Sequence, residues 1–313
     1  MKHLFGALAA AMLAMPAHAV DPIKMVVPFA AGGPVDALAR IVAAEIGPRL
    51  QTDVVVENRG GAGGVIAVEQ VARSAPDGRT ILFASVGAFV ITNALKPQPG
   101  YDQLKTFAPV ARIGAAPTLF IVKADAPFKT LGELIAKAKS DSKMSYGSAG
   151  AGTTMHIAAE QLNVSAGTKI THVPYRGIAP ALNDIMGGHI NFLNGDITVL
   201  YPLVQQGTIR ALAVAGTQRS ALLPNVPTAQ ELGYKDVYME NWYGALVPAA
   251  TPPDIVAKLE AAIMEAVKTP EVWAKISANG VYAPQDAKAF RAQIEKDVAY
   301  WGAEIKKLGI TAE

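Results

Sequence analysis

Two stretches of this sequence set a bare, glycine-lined backbone immediately before a helix start. The first is Pro28-Phe29-Ala30-Ala31-Gly32-Gly33-Pro34-Val35-Asp36, which follows the β-like run Ile23 to Val27. Gly32 and Gly33 lack a Cβ, so the chain can turn sharply there and a bound group can approach the backbone. Pro34 suits the first helical position, where a missing N–H costs nothing. Unpaired amides at a helix N-terminus make a natural seat for an anion. The same stretch also fits an ordinary βα turn. The second is Gly147-Ser148-Ala149-Gly150-Ala151-Gly152-Thr153-Thr154. It repeats the design of strand, glycine-rich turn and helix start, and adds the hydroxyls of Ser148, Thr153 and Thr154.

Other chemistries find less support. The second loop is not followed by Gly-Lys-Ser/Thr, so it is no phosphate loop of the Walker type. Gly61-Ala62-Gly63 and Gly150-Ala151-Gly152 do not complete a dinucleotide fingerprint, since Ile66 and Met155 stand where the third glycine is needed. No nucleotide or other cofactor is therefore expected. Ser85 and Ser148 each lack, on one side, the flanking glycine that a nucleophile elbow requires. His156 and Glu160, spaced i, i+4, could share one helix face as metal ligands. His172 and His189 lack ligand spacing with them, and the competing reading is a histidine that supports its own loop. Asp36 and Asp196 could pair across a cleft as in glycoside hydrolysis, but Asp36 is more simply a helix N-terminal acid. No metal site and no catalytic set emerges. Binding needs less: amides, helix ends and hydroxyls hold a carboxylate without lysine or arginine. Each hydrogen bond to a charged partner contributes roughly 1.5–3 kcal/mol, and a few of them suffice for micromolar affinity, about −8 kcal/mol.

The elements that carry these loops alternate strand and helix. From Val35 the apolar residues Leu38, Ala39, Val42, Ile46 and Leu50 form one helical stripe. Val54 to Val56 reads as a strand, Val65 to about Ser74 as a helix, and Thr80 to Ala84 as a strand with Ser85 at its C-terminal end. Strand ends followed by helices are where open α/β sheets collect ligands. Pro97, Pro99 and Gly100 interrupt this unit, and Ala108 to Ile113 and Thr118 to Val122 read as two strands. A second series starts with a possible capping box at Thr130–Glu133. It continues with strands at Met144 to Tyr146, Ile170 to Val173 and Ile190 to Leu193, a turn at Asn194-Gly195-Asp196, and a strand at Ile209 to Ala215. Pro224, Pro227 and Gly233 mark a second irregular passage before the strand Met239 to Val247. The closing stripe Phe290, Ile294, Val298, Trp301, Ile305 and Leu308 is expected to pack on the first unit. Two α/β units with two crossings predict two lobes and a cleft: residues 20–122, then 123–238, then a return through 239–313.

Composition agrees with an exported folded protein. Of 313 residues, 51% are hydrophobic and 17% charged, which leaves ample core and argues against disorder. The formal charge is only +2 and basic runs with interleaved aromatics are missing, so nucleic acid is not an expected partner. Without cysteine there are no disulfides, thiolate metal sites or cysteine nucleophiles. Lys2 and His3, the apolar run Leu4 to Met15 and Ala17-His18-Ala19 have the order of a secretory leader cleaved after Ala19. That run is short for a membrane span. The mature chain is expected to be exported and soluble, without stable membrane insertion.

Several stretches together carry a resemblance along nearly the whole mature chain. They are Pro28-Phe29, Gly32-Gly33, Asp36 and Ala39-Arg40; Val56-Glu57-Asn58-Arg59 with Gly61-Ala62-Gly63-Gly64; Pro76-Asp77-Gly78; and Val173-Pro174-Tyr175 with Gly177. Arg210-Ala211-Leu212-Ala213, Pro227-Thr228 with Glu231 and Gly233, and Trp242, Gly244, Pro248 and Thr251-Pro252 continue the series. The sequence resembles the Bug-type solute receptors, the binding proteins of tripartite tricarboxylate transporters. The resemblance implies an α/β, two-lobed periplasmic binding fold, type II-like, that closes on its ligand like a Venus flytrap. It implies a small organic acid as ligand and a two-subunit membrane permease as partner, with the receptor itself a monomer and not an enzyme. It also implies that Phe29, Ala30, Ala31, Gly32 and Gly33 grip a carboxylate together with Ala149, Gly150, Ala151, Gly152, Thr153 and Thr154. Ser85 and Asp196 take strand-end positions facing the same cleft. Asp196 would receive an amine or hydroxyl of the ligand, or else cap the helix that follows. Two other readings stay open: an exported α/β hydrolase-like enzyme, and a ligand-sensing partner of a membrane regulator.

Overall fold

The computed structural model describes residues 21–97 and 102–310; the expected leader, residues 1–19, lies outside the described residues. Among the described residues nine strands form one mixed sheet: β1 (Ile23–Val27), β2 (Val54–Asn58), β3 (Thr80–Ser85), β4 (Phe107–Lys123), β5 (Ser145–Ser148), β6 (Thr171–Pro174), β7 (Phe192–Asp196), β8 (Ile209–Val214) and β9 (Glu240–Pro248). Their order is β2-β1-β3-β9-β4-β7-β5-β6, with β8 also on β4. At one end β1 lies between β2 and β3, all parallel. At the other, β5 lies between β6 and β7, again parallel. These are two βα sets, each with its strand-to-helix loops at the C-terminal strand ends, where such sheets bind ligands.

The middle of the sheet is antiparallel and joins the two sets. Residues Phe107–Pro117 of β4 pair with β9, whereas Thr118–Lys123 pair with β7 and β8. One strand thus serves two α/β lobes and changes neighbours between Pro117 and Thr118. The sequence pattern predicts two strands here; they are one, because Gly114 and Pro117 break the pattern without breaking the strand. A Cβ on Gly114 would lie 2.4 Å from Val281 Cγ1 and 2.8 Å from the Tyr282 carbonyl, so close packing from the C-terminal segment requires glycine there. Pro117 lacks an N–H at the point where the strand trades partners, a position where proline is tolerated. The return strand crosses beside it, with the Thr118 amide donating to Met239 O (3.2 Å) and the Ala215 amide to Thr118 O (2.8 Å).

Asn194-Gly195-Asp196 is not a turn but the end of β7, paired with Phe120, Leu119 and Thr118. Hydropathy stops at Leu193, yet Asn194 is fully buried and Asp196 nearly so, because β4 and β9 cover them. Both faces of the sheet are covered by helices. On one face lie Pro34–Leu50, Pro253–Lys268, Pro270–Ser277, Ile178–Gly187 and Ile197–Gln205, packed on residues such as Met25, Phe83, Leu193 and Tyr243. On the other lie Val65–Ala72, Thr154–Ala166 and Ala287–Leu308, packed on Leu82, Phe120, Tyr146 and Trp242. Thr130 does cap the helix Leu131–Ser140 reciprocally with Glu133.

The last helix, Ala287–Leu308, reaches further than its stripe alone predicts. Phe290 stacks edge-on against Trp242 at 4.9 Å, and Asp297 accepts the Trp242 indole N–H at 2.7 Å, which ties it to β9. Beyond that, Glu304 accepts from Gln161 Nε2 (3.4 Å) in the helix Thr154–Ala166 of the second set. It therefore packs on both lobes. Among the described residues no helix is long and apolar enough to cross a membrane.

Candidate functional site

The first loop is held open from behind. Gly32 has φ of +86°, a left-handed conformation suited to glycine, and its amide donates to Asp36 Oδ2 at 2.9 Å. Asp36 is buried, and its carboxylate also accepts from Arg40 Nε (3.1 Å) and Asn58 Nδ2 (3.0 Å). Burial would raise its pKa, but the bonds from Arg40, Gly32 and Asn58 outweigh it and hold the carboxyl below the usual range. Asn58 Nδ2 in turn lies 3.0 Å from Phe29 O, so the end of β2 braces the loop. These clamps leave the Ala30, Ala31 and Gly33 amides with no intramolecular acceptor among the described residues.

Next to it lies a shelf of backbone from the same lobe. A Cβ on Gly60 would be 3.5 Å from Ala30 N, and one on Gly64 would be 3.1 Å from Pro28 Cβ and 2.7 Å from Ala88 Cβ. Ala88 belongs to the π-helical turn Gly87–Ile91 that follows β3, a geometry often found at functional sites. The Thr92 hydroxyl pins this turn to the glycine loop, 2.9 Å from Gly87 O and 3.1 Å from Gly63 O. Ser85, at the end of β3, is buried just ahead of it.

The second loop meets this shelf. A Cβ on Gly87 would lie 3.5 Å from Thr154 Cγ2, 3.6 Å from Thr154 N and 3.9 Å from Ser85 Oγ. A Cβ on Gly152 would lie 2.4 Å from Leu95 Cδ1. The N-termini of helices from the two lobes therefore converge around Ser85, Gly87 and Thr154. Within the loop, Gly150 N donates to Ser148 Oγ (3.1 Å), Thr153 Oγ1 to Gly150 O (2.7 Å), and Gly152 N to His156 Nδ1 (3.1 Å). The Ala151 and Thr154 amides have no intramolecular acceptor among the described residues.

Behind this loop stands an aromatic stack. His156 and His172 face each other at 4.0 Å and 10°, and Tyr146 stacks on His172 at 5.0 Å. His172 Nε2 shares a 2.6 Å hydrogen bond with Ser148 Oγ. Burial, and for His156 also the neighbouring ring, pushes the two imidazole pKa values down to about 3 and about 4. Both rings are therefore neutral near pH 7. Glu160 does not join His156 in a metal site; it accepts from Tyr146 OH (2.5 Å) and Asn163 Nδ2 (3.2 Å). Among the described residues no group of three His, Cys, Asp or Glu side chains could hold a metal ion.

Asp196 sits one layer away. It caps the helix Ile197–Gln205 by accepting from Thr198 N (3.0 Å) and Thr198 Oγ1 (2.7 Å). Its other oxygen accepts from Asn241 Nδ2 (3.1 Å) and from the Tyr243 hydroxyl. Burial pushes this carboxyl up despite those bonds. Tyr243 is the strand partner of Ser85, so Asp196 reaches the shelf through β9. Asp36 and Asp196 thus serve separate networks. The composition of the glycine loops was legible in the sequence; Asn58, Thr92, Asn241 and Tyr243 were not, because their partners come from distant strands. The Asp36–Arg40 spacing of i, i+4 is the signal that could have exposed the first clamp.

Two lobes on a shared strand, with helix N-termini converging between them, define a ligand-capturing binding protein. The chain belongs to the tripartite tricarboxylate transporter family receptors, whose family model matches residues 38–310. Three solved structures are similar over almost their whole length. MatC from Rhodopseudomonas palustris with bound malate is 30% identical, covers 91% of this chain and 98% of its own, and superposes with a TM-score of 0.85. The periplasmic binding protein BugD is 33% identical, with coverage of 93% and 99% and a TM-score of 0.86. Rpa4515 of R. palustris with adipate is 29% identical, with coverage of 93% and 98% and a TM-score of 0.88.

Proposed function

We propose that this protein is a periplasmic receptor that captures a small organic acid between its lobes and delivers it to a two-subunit permease of the tripartite tricarboxylate type. One observation carries the proposal: the second-lobe loop lies against the first-lobe shelf, with Thr154 beside Gly87 and Ser85, and Gly152 against Leu95. In this reading Phe29 to Gly33 and Ala149 to Thr154 supply the amides that grip a carboxylate, and Ser85 and Thr154 add hydroxyls. Asp196 contributes by fixing the helix cap and β9 beneath them. The malate and adipate held by MatC and Rpa4515 support a carboxylate as the ligand class. Residues 20–122 and 239–313 form one lobe and 123–238 the other in this reading; the change of β4 partners after Pro117 supports a division within that strand. The leader is removed after Ala19, and the mature receptor acts as a monomer.

The protein is not an enzyme in this reading. The Ser148–His172 contact has the elements of an activated nucleophile, but Ser148 is fully buried and its hydroxyl accepts the Gly150 amide. Thermal-shift measurements against a panel of dicarboxylates, tricarboxylates, acidic amino acids and aromatic acids test the proposal, with calorimetry on every acid that stabilises. At least one acid of the panel, malate and adipate included, is expected to raise Tm and to be recovered chemically unchanged. Turnover of a stabilising acid, or a panel in which none binds, would overturn the receptor reading.

A further inference from the structure

The two glycine loops share a feature that their sequences hide. In each, a glycine with positive φ precedes the N-cap: Gly32 (+86°) before Gly33, and Gly152 (+76°) before Thr153. In each, the amide of that glycine is captured by the side chain four residues on, at the third helical position. Gly32 N reaches Asp36 Oδ2 at 2.9 Å, and Gly152 N reaches His156 Nδ1 at 3.1 Å. It differs from a capping box, in which a Glu or Gln at that position reaches back to the N-cap amide, by engaging the amide one residue earlier. A bare carboxylate there would stand at the seat of an anion. The two lobes avoid this differently. In the first, Arg40 forms a 2.9 Å ion pair with Asp36. In the second the acceptor is an uncharged ring, stacked on His172, which in turn holds Ser148 and through it the Gly150 amide.

We propose that Asp36 and His156 are equivalent positioning residues, each fixing its anion loop from behind while adding no net negative charge, with Arg40 and the His156–His172 stack supplying that neutrality. The proposal rests on the receptor reading for the identity of the loops as the anion seat. His156 Nδ1 accepts a backbone N–H, so the proton of that ring lies on Nε2, a tautomer with a distinct nitrogen resonance.

Three variants separate the functions of His156. Asparagine places Oδ1 close to where Nδ1 lies, leucine removes the acceptor, and glutamate keeps an acceptor but adds a charge. In the full mature chain without added acid, Gly152 amide exchange is expected to stay near wild type in His156→Asn and His156→Glu. In His156→Leu it is expected to be roughly tenfold faster, as befits one lost hydrogen bond. With malate and adipate as probes, His156→Asn keeps the wild-type Kd within about threefold. His156→Glu weakens it at least about tenfold by charge repulsion, although its loop is intact. Equal exchange in the Leu and Asn variants would overturn the positioning role. Unchanged affinity in His156→Glu would overturn the neutrality requirement. Should wild type bind neither probe nor any other acid of the panel, the receptor reading fails, while the exchange data still decide the positioning role.

Discussion

Gly152→Ala perturbs the contact between the second-lobe loop and Leu95 of the first lobe. Two costs follow, and they fall on different states. The residue has φ of +76°, where an L-residue is strained by roughly 1–2 kcal/mol. That strain is present whether the lobes are open or closed, and it lowers Tm by about 2–8 °C for a chain of this size. The new methyl would also sit 2.4 Å from Leu95 Cδ1, across the junction between the lobes. Leu95 is a partly exposed side-chain end and can shift, so an overpacking cost of about 1–3 kcal/mol applies. It arises only when the lobes meet, and it weakens acid binding roughly 5- to 150-fold. Leu95→Ala in the same chain removes the opposing methyl and is expected to restore most of the affinity while leaving the Tm loss in place. Calorimetry with the most stabilising acid of the panel, alongside thermal melts, separates the two terms. If Gly152→Ala binds as wild type does, or if Leu95→Ala fails to rescue it, the second-lobe loop does not meet Leu95 of the first lobe in the bound state.

Three further outcomes follow from the same geometry. Thr153→Ala with Thr154→Ala is expected to weaken acid binding about tenfold with a Tm within a few degrees of wild type; unchanged calorimetric affinity would remove that loop from the site. Asp36→Ala releases Gly32, Arg40 and Asn58 together and is expected to cost about 3–6 kcal/mol in urea unfolding, since the Gly32 and Asn58 bonds to a charged group contribute roughly 1.5–3 kcal/mol each and the half-exposed Arg40 adds little; a loss under 1 kcal/mol would show that the clamp is not formed in solution. The buried histidines set an acid limb. Above pH 6.5 they are neutral whether folded or unfolded, so their contribution is fully present. As pH falls, the unfolded chain takes up protons that the folded one refuses until about pH 3 for His156 and about pH 4 for His172. At pH 4.5 the His156 share of the loss is about 2–3 kcal/mol, with a smaller share from the more exposed His172. His156→Leu should flatten the stability profile between pH 6.5 and 4.5; an unaltered profile would contradict the assignment.

The sequence exposes this fold where local pattern and tertiary burial agree. The helix at Pro34–Leu50, the strands β1 to β3 and the capping box at Thr130 follow directly from periodicity and caps. It misleads where polar residues enter the core. β7 runs on through Asn194 and Asp196 because β4 and β9 cover them, which no single-strand pattern can announce. β4 reads as two strands because the glycine and proline inside it answer to the C-terminal segment and to the lobe crossing. The candidate site divides in the same way. Its glycines and hydroxyls are visible as types, whereas the groups that hold them in place, Asn58, Thr92, His172 and Tyr243, lie 20 or more residues away from the atoms they serve or pair through other strands.

In the proposed receptor one carboxylate is held jointly by the two glycine loops. A crystal structure of the mature chain grown with the most stabilising acid of the panel tests it most directly. The expected result is a carboxylate group within hydrogen-bonding distance of amides from both Phe29–Gly33 and Ala149–Thr154, with Ser85 Oγ or Thr154 Oγ1 beside it. An acid bound elsewhere, or bound by one lobe alone while the loops stay apart, would contradict it.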